Sequence, residues 1–344
     1  MMLMAPRDDA RVVVGVDGTP DSEAATAWAL QEALLRAAGL HLVHAVPTSG
    51  GRPTPGEAEE DQRLREAGMR LLDRLVRDVT AAAPGVAVTS RLAEAPAYEA
   101  LLQETDGALL LALGARGTSQ LPQLPIGSVP VHLTAMAPCP VVVVRANASP
   151  PSDPGSGAAG QASVVVGVDV DPRTDPAFGF AVDEATLRGA TLVVVRAMPD
   201  DATGAKLPAA AYLAEAEQRE RQRLAQWLTP WQDKDRGIGV RPVLVRAHPV
   251  AALLQESVGA ALLVVGSHGG GVAKGILLGS VSQALMRGAT CPSRWSGDSH
   301  RRGHRSVPPV DRRESYGMKP ATWPRQVRNC LGYAVPAPAP RASR

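Results

Sequence analysis

Cysteine is scarce in this chain of 344 residues, with only Cys139, Cys291 and Cys330. Three are too few for a disulfide framework in a protein of this length, and their scarcity points to a reducing compartment, the cytoplasm. No segment approaches the roughly 20 consecutive apolar residues of a membrane span. The opening stretch, MMLMAPRDDARVVVGVD, lacks the basic start and apolar run of a secretory leader. A soluble protein is therefore expected. No Gly-Lys-Ser/Thr loop of the Walker type occurs, and the glycine stretches beginning at Gly114 and Gly266 are not the close-spaced dinucleotide fingerprint. Ser128 and Ser280 do not sit in a G-x-S-x-G elbow, so nucleophilic catalysis has no motif behind it.

A basic body is also absent. The net charge is +2, but the segment from Ser293 onward holds ten arginines and Lys319 against Asp298, Asp311 and Glu314. Residues 1–292 therefore carry 25 basic and 31 acidic groups. An acidic body argues against nucleic acid as the main partner, because binding by counterion release needs a basic face.

What is present is one unit written twice. VVVGVD stands at 12–17 and again at 164–169, an offset of 152 positions. The same offset relates LLQE at 101–104 to LLQE at 253–256, Gly114 to Gly266, Gly127-Ser128 to Gly279-Ser280, and Cys139-Pro140 to Cys291-Pro292. A constant offset over such a length means tandem duplication of a whole domain. The division reads as a first domain at 11–146, a Pro/Gly/Ser-rich linker at 147–162, a second domain at 163–292 and a basic tail at 293–344.

Within each copy, short apolar runs alternate with stretches of helical period. The first copy reads as strands RVVVGVD, LHLVHAV, VAVTSRLA, GALLLALG and PVVVVR, separated by helices. Strands apolar enough to be covered on both faces, alternating with helices, specify an α/β fold with a parallel sheet and helices on either side. Leu64, Leu71, Leu72 and Leu75 of the long second helix are expected in the core, and Cys139 and Cys291 as buried packing groups. In such sheets the ligand crevice lies beyond the carboxyl ends of the strands.

The loop after the fourth strand is GARGTSQLPQLPIGSV in the first copy and GSHGGGVAKGILLGSV in the second. Both place Gly, two residues, Gly, nine residues and Gly-Ser: Gly114, Gly117, Gly127 and Ser128, then Gly266, Gly269, Gly279 and Ser280. Glycines let backbone amides approach an anion, and Gly-Ser at a helix start offers free N–H groups, a hydroxyl and the positive end of the helix dipole. A plainer role, capping and turning, is open to the same residues. The first loop carries Pro122 and Pro125, each of which removes a donor. The second keeps more glycines and Lys274, but replaces the Gly after its strand-end Asp with Val170.

The repeated VVVGVD, the paired glycine loops and the ending APCPVVVVR resemble the universal stress protein family in its tandem-domain form. This resemblance implies two doubly wound domains, each with a five-stranded parallel sheet of order 3-2-1-4-5. It also implies an adenine-nucleotide site holding ATP, with or without Mg²⁺. By the same resemblance Asp17 and Asp169 would face the ribose and adenine side, and Ala45 and Ala197 the adenine pocket. The loop glycines and serines, with Val129 and Val281, would wrap the phosphates. The implied role is a stress-responsive sensor or regulator with no efficient turnover and no catalytic residue assigned. A protein–protein interaction module with degenerate sites and a slow ATPase are the alternatives. The protein partner is unspecified, and the two domains could pair within one chain or across a homodimer.

Cys291, His300 and His304 have the look of zinc ligands, but a fourth well-placed group is wanting and no metal is expected. The duplication calls for a strand after Pro292, equivalent to VVVVR at 141–145, where the chain has SRWSG. The second copy is therefore expected to lack its last strand. As a hypothesis, the codons TCG CGG TGG TCC GGG for this stretch become GTC GCG GTG GTC CGG, Val-Ala-Val-Val-Arg, when one G is restored. Translation out of frame and a genuine basic extension both remain open. Reading the gene decides between them, and if no one-base change restores a strand there, the frameshift idea fails.

Overall fold

The computed structural model describes residues 10–47, 54–118, 126–146, 162–169, 175–198, 210–232, 238–266 and 279–296. The first half runs β1 (Arg11–Gly15), α1 (Pro20–Arg36), β2 (Gly39–Ala45), α2 (Pro55–Ala82), β3 (Val88–Ala93), α3 (Ala97–Glu104), β4 (Leu110–Gly114), α4 (Ser128–Met136) and β5 (Val141–Val144). The second half repeats it as β6 (Ser163–Gly167), α5 (Asp175–Arg188), β7 (Thr191–Met198), α6 (Ala210–Gln232), β8 (Val240–Arg246), α7 (Pro249–Glu256), β9 (Leu262–Gly266), α8 (Ser280–Gly288) and β10 (Ser293–Ser296).

Local chemistry explains the boundaries. Thr19 caps α1, its hydroxyl accepting from Ser22 N–H, and Pro20 takes the first helical turn, where a missing N–H costs nothing. Thr54 and Glu57 form a reciprocal capping box at the start of α2. On that helix Leu72 and Leu75 are buried and Leu71 packs against the core, whereas Leu64 is 38% exposed, contrary to the core position expected for it. Leu64 stands to one side of the buried line of that helix, which runs through Asp61, Gly68, Leu72 and Leu75. Cys139 and Cys291 are buried as expected, and burial pushes their thiols up to about 12 and about 11.

Each half has the order 3-2-1-4-5, and the two join into one ten-stranded sheet, β3-β2-β1-β4-β5-β10-β9-β6-β7-β8. All neighbours are parallel except β5 with β10. One face of the sheet carries a single apolar core that runs through both halves, from Trp28 and Leu75 across Val142 to Phe178 and Leu228.

The expected loss of the second copy's last strand is corrected here. SRWS forms β10, parallel to β9 and antiparallel to β5, so the second half extends to Ser296 rather than stopping at Pro292. Ladder hydrogen bonds are made by the backbone, and two apolar strand edges, β5 and β9, offer them on both sides whatever the side chains are. The side chains fit less well. Val142 lies opposite Arg294, and that pair is related by the duplication offset, so the pseudo-twofold axis passes through it. Arg294 is fully buried, its guanidinium lies over the Phe180 ring, and none of its three nitrogens has a hydrogen-bond partner. Trp295 Nε1 is likewise buried and unpaired. Residues 297–344 lie outside the described residues.

Beside Arg294 a ring of four charges crosses the same axis. Arg36 pairs with Glu32 on its own helix and with Glu184 on α5, while Arg188 pairs with Glu184 and with Glu32. All four side chains are at most 9% exposed. Two carboxylates and two guanidiniums close on each other, which is how buried charge is tolerated; Arg294 adds a further cation with no such closure. Burial alone would raise the Glu184 carboxyl, but Arg188 and Arg36, with Arg294, outweigh it and hold the group well below its ordinary value of 4.5.

Two outcomes are expected from this seam. Arg294→Val should raise the melting temperature, because each buried unpaired donor costs about 1–3 kcal/mol; a lower melting temperature would contradict the account. Glu184, with its folded value depressed, contributes stability that is present above pH 4.5 and lost as the pH falls through that lowered value. Thermal melts of wild type and Glu184→Gln between pH 7 and about pH 2 should therefore converge on acidification, starting from a gap of about 3–5 kcal/mol, the usual cost of breaking a buried pair.

Candidate functional site

The strand order places the crevice of the first half between β1 and β4, where the chain's crossovers leave the sheet in opposite directions. β1 runs on through Val16 to Asp17, and Gly18 follows with φ of +79°, a left-handed conformation that suits glycine. Thr19 donates to Asp17 Oδ1 from its backbone N–H at 3.0 Å and from its hydroxyl at 2.6 Å. Among the described residues no other donor reaches that carboxylate, which stays half-buried at the mouth of the crevice.

Gly114 ends β4 where the start of α1 crosses it; a β-carbon there would come within 2.8 Å of the Asp21 and Ser22 backbone. Three residues on, a β-carbon at Gly117 would meet Asp17 Oδ2 at 2.9 Å, so the loop backbone and the carboxylate border one narrow gap. Gly127 returns the loop, its N–H donating to the Ala115 carbonyl at 2.8 Å. Gly127 is the N-cap of α4, with no side-chain capping bond, which leaves Ser128 exposed at the first helical position rather than acting as the cap. Ser128 and Val129 offer N–H groups at this helix start, and Pro130 offers none. Ala45 closes β2 beside this region and is half-buried. Asp17, Gly114, Gly117, Gly127, Ser128 and Val129 are thus brought to one edge of the sheet.

In the second half, Asp169 lies just past β6, Ala197 is the next-to-last residue of β7, and Gly266 ends β9. Gly279 caps α8, again with no side-chain bond, and Ser280 is exposed while Val281 is half-buried. Ser282 stands where the first half has Pro130, so its N–H is kept, and its hydroxyl donates to the Gly266 carbonyl at 2.9 Å. Gly269 and Lys274 lie outside the described residues, as do Pro122, Pro125 and Val170. His300 and His304 of the zinc reading lie outside them too.

Two residues that the sequence reading passed over matter here. Asp21 is 3% exposed and ties three segments together: its Oδ2 accepts from Arg116 N–H at 3.1 Å and Nε at 3.2 Å, and its Oδ1 from Ala146 N–H at 2.8 Å. An acidic residue in a first helical turn ordinarily reads as a partner of the helix dipole. The signal was that its counterpart in the second copy is Arg173. His44 is the other, with Nδ1 hydrogen-bonded to the Val16 carbonyl at 2.6 Å and its ring against Gly68. Its signal was the same kind of mismatch, since Arg196 stands at its place in the second copy.

The family model for the universal stress protein family matches twice, at residues 10–145 and 162–293. A universal stress protein of Mycobacterium tuberculosis is 33% identical over 294 residues, spanning 83% of this chain and 97% of the relative. One of Mycolicibacterium smegmatis is 32% identical over 288 residues, spanning 82% and 95%. Among solved structures, a universal stress protein of Archaeoglobus fulgidus superposes with a TM-score of 0.55 at 14% identity, covering 85% of this chain and 99% of its own, a likeness of fold. With both halves matched and relatives spanned almost end to end, the chain belongs to the universal stress protein family, as a tandem pair of its domains.

Proposed function

We propose that this chain binds an adenine nucleotide, ATP, and serves as a stress-responsive sensor or regulator in the cytoplasm without efficient turnover. The observation that carries the reading is the convergence of the Asp17 carboxylate, the Gly117 backbone and the start of α4 on one gap at the ends of β1 and β4. A carboxylate is an acceptor only, suited to the two hydroxyls of a ribose. The small Ala45 leaves room beside it for a base. The N–H groups of Ser128 and Val129 and the Ser128 hydroxyl supply donors and a positive helix end for phosphate oxygens. Any Mg²⁺ would come with the phosphates it bridges. Gly117 also fits this use, because a side chain there would fill the gap next to Asp17.

In this reading Asp169, Ala197, Gly266, Gly269, Gly279, Ser280 and Val281 are the corresponding set in the second half. The regulatory step would be the ordering of loops around the nucleotide, read by a protein partner.

Calorimetric titration of the folded chain with ATP and Mg²⁺ is expected to give saturable binding. Gly117→Val should weaken it by at least about tenfold, or about 1.4 kcal/mol. A folded sample that takes up no ATP would sink the reading.

A further inference from the structure

Duplication allows the two crevices to be compared position by position, and they differ by a correlated pair of residues. In the first half the pair is His44 on β2 and Gly68 on α2. A β-carbon at position 68 would lie 2.6 Å from His44 Cδ2, so the glycine is what makes room for the imidazole where it bonds the Val16 carbonyl. In the second half, at the same offset, the pair is Arg196 on β7 and Glu220 on α6. Arg196 forms an ion pair with Asp169 Oδ1 and reaches Glu220 at 3.7 Å. Arg196 is 21% exposed at the side chain and Glu220 16%, so the guanidinium is anchored from below and projects at the carboxylate.

This difference bears directly on a ribose. Among the described residues the Asp17 carboxylate is met only by Thr19, on one oxygen, whereas Asp169 already has a cation on it. A diol arriving at Asp169 would have to displace Arg196, which stands on the carboxylate and is held toward it from α6 by Glu220. The ion pair itself is weak, since Asp169 is 63% exposed. The loss to a ligand is larger, because it forgoes the charge-assisted hydrogen bonds that an open carboxylate would accept from its hydroxyls.

We propose that the chain holds one ribose-reading site, in the first half, and that the Arg196–Glu220 pair is a specificity determinant that closes the second crevice to nucleosides by occupying Asp169. This rests on the nucleotide reading above. Isothermal titration of the full chain with ATP and Mg²⁺ tests it by stoichiometry. One equivalent per chain is expected, abolished by Asp17→Ala. The double change Arg196→His with Glu220→Gly, which imports the first half's pair, is expected to create a second equivalent. The reciprocal change, His44→Arg with Gly68→Glu, should weaken the first site at least tenfold. Should the imported pair lower the melting temperature, Arg196→His alone repeats the test without altering α6. Two equivalents in the wild type, one equivalent that survives Asp17→Ala, or no second equivalent in the folded Arg196 variants would each overturn the inference and leave the nucleotide reading standing. No binding by the wild-type chain would remove both.

Discussion

The antiparallel pairing of β5 with β10, together with the ring of Glu32, Arg36, Glu184 and Arg188 beside it, is the constraint on which the rest of the molecule depends. Without it each half would end in an open apolar edge, VVVV in one case and LLVVG in the other. With it, two sheets become one and a single core crosses between them. The seam also reaches the candidate site. Arg145, just past β5, donates to the carbonyls of Met286 and Arg287 at the end of α8, across the two halves. The next residue, Ala146, donates to Asp21, which holds the Arg116 loop beside Asp17. What pairs with β5 therefore bears on where the glycine loop of the first crevice sits.

The two halves have diverged in pairs rather than singly. Arg65 on α2 meets Glu94 after β3, and at the same offset Glu217 on α6 meets Arg246 at the end of β8, with the signs exchanged. His44 against Gly68 became Arg196 with Glu220 in the same way. Packing explains the pattern: the two elements stay at one distance, so a larger or charged group on one must be met by a compatible group on the other. In the charged ring of the seam the opposite holds. Its glutamate and its arginine are retained in each copy, because a closed ring of buried charge tolerates no single replacement. The crevices became unequal while the charged ring between them did not.

Most of the fold could be read from the chain because its signals are local and repeated. Apolar runs bounded by Thr19-Pro20 or Thr54-Pro55 specify strand, cap and helix without reference to distant residues. The offset of the duplication then supplied the order of strands through the family it resembles. Leu64 shows the limit of periodicity, since the neighbouring turns of α2 bury Asp61 and Gly68 and leave the leucine beside them 38% exposed. The site was readable in part. Asp17 and the loop glycines stand at strand ends, where a crevice must lie, but Asp21 and His44 act through partners far along the chain, Arg116, Ala146 and Gly68.

By itself the amino-acid sequence determined the duplication, the alternation of strands and helices, and the glycine-bearing loops, because each rests on spacing and side-chain type. Only the tertiary structure decided that SRWS is a strand. Its residues carry no apolar run to announce one, and Arg294 at the axis opposes it. Backbone N–H and C=O groups along β5 and β9 pair regardless of side chain, so two waiting edges impose on those four residues a conformation that their own chemistry does not encode.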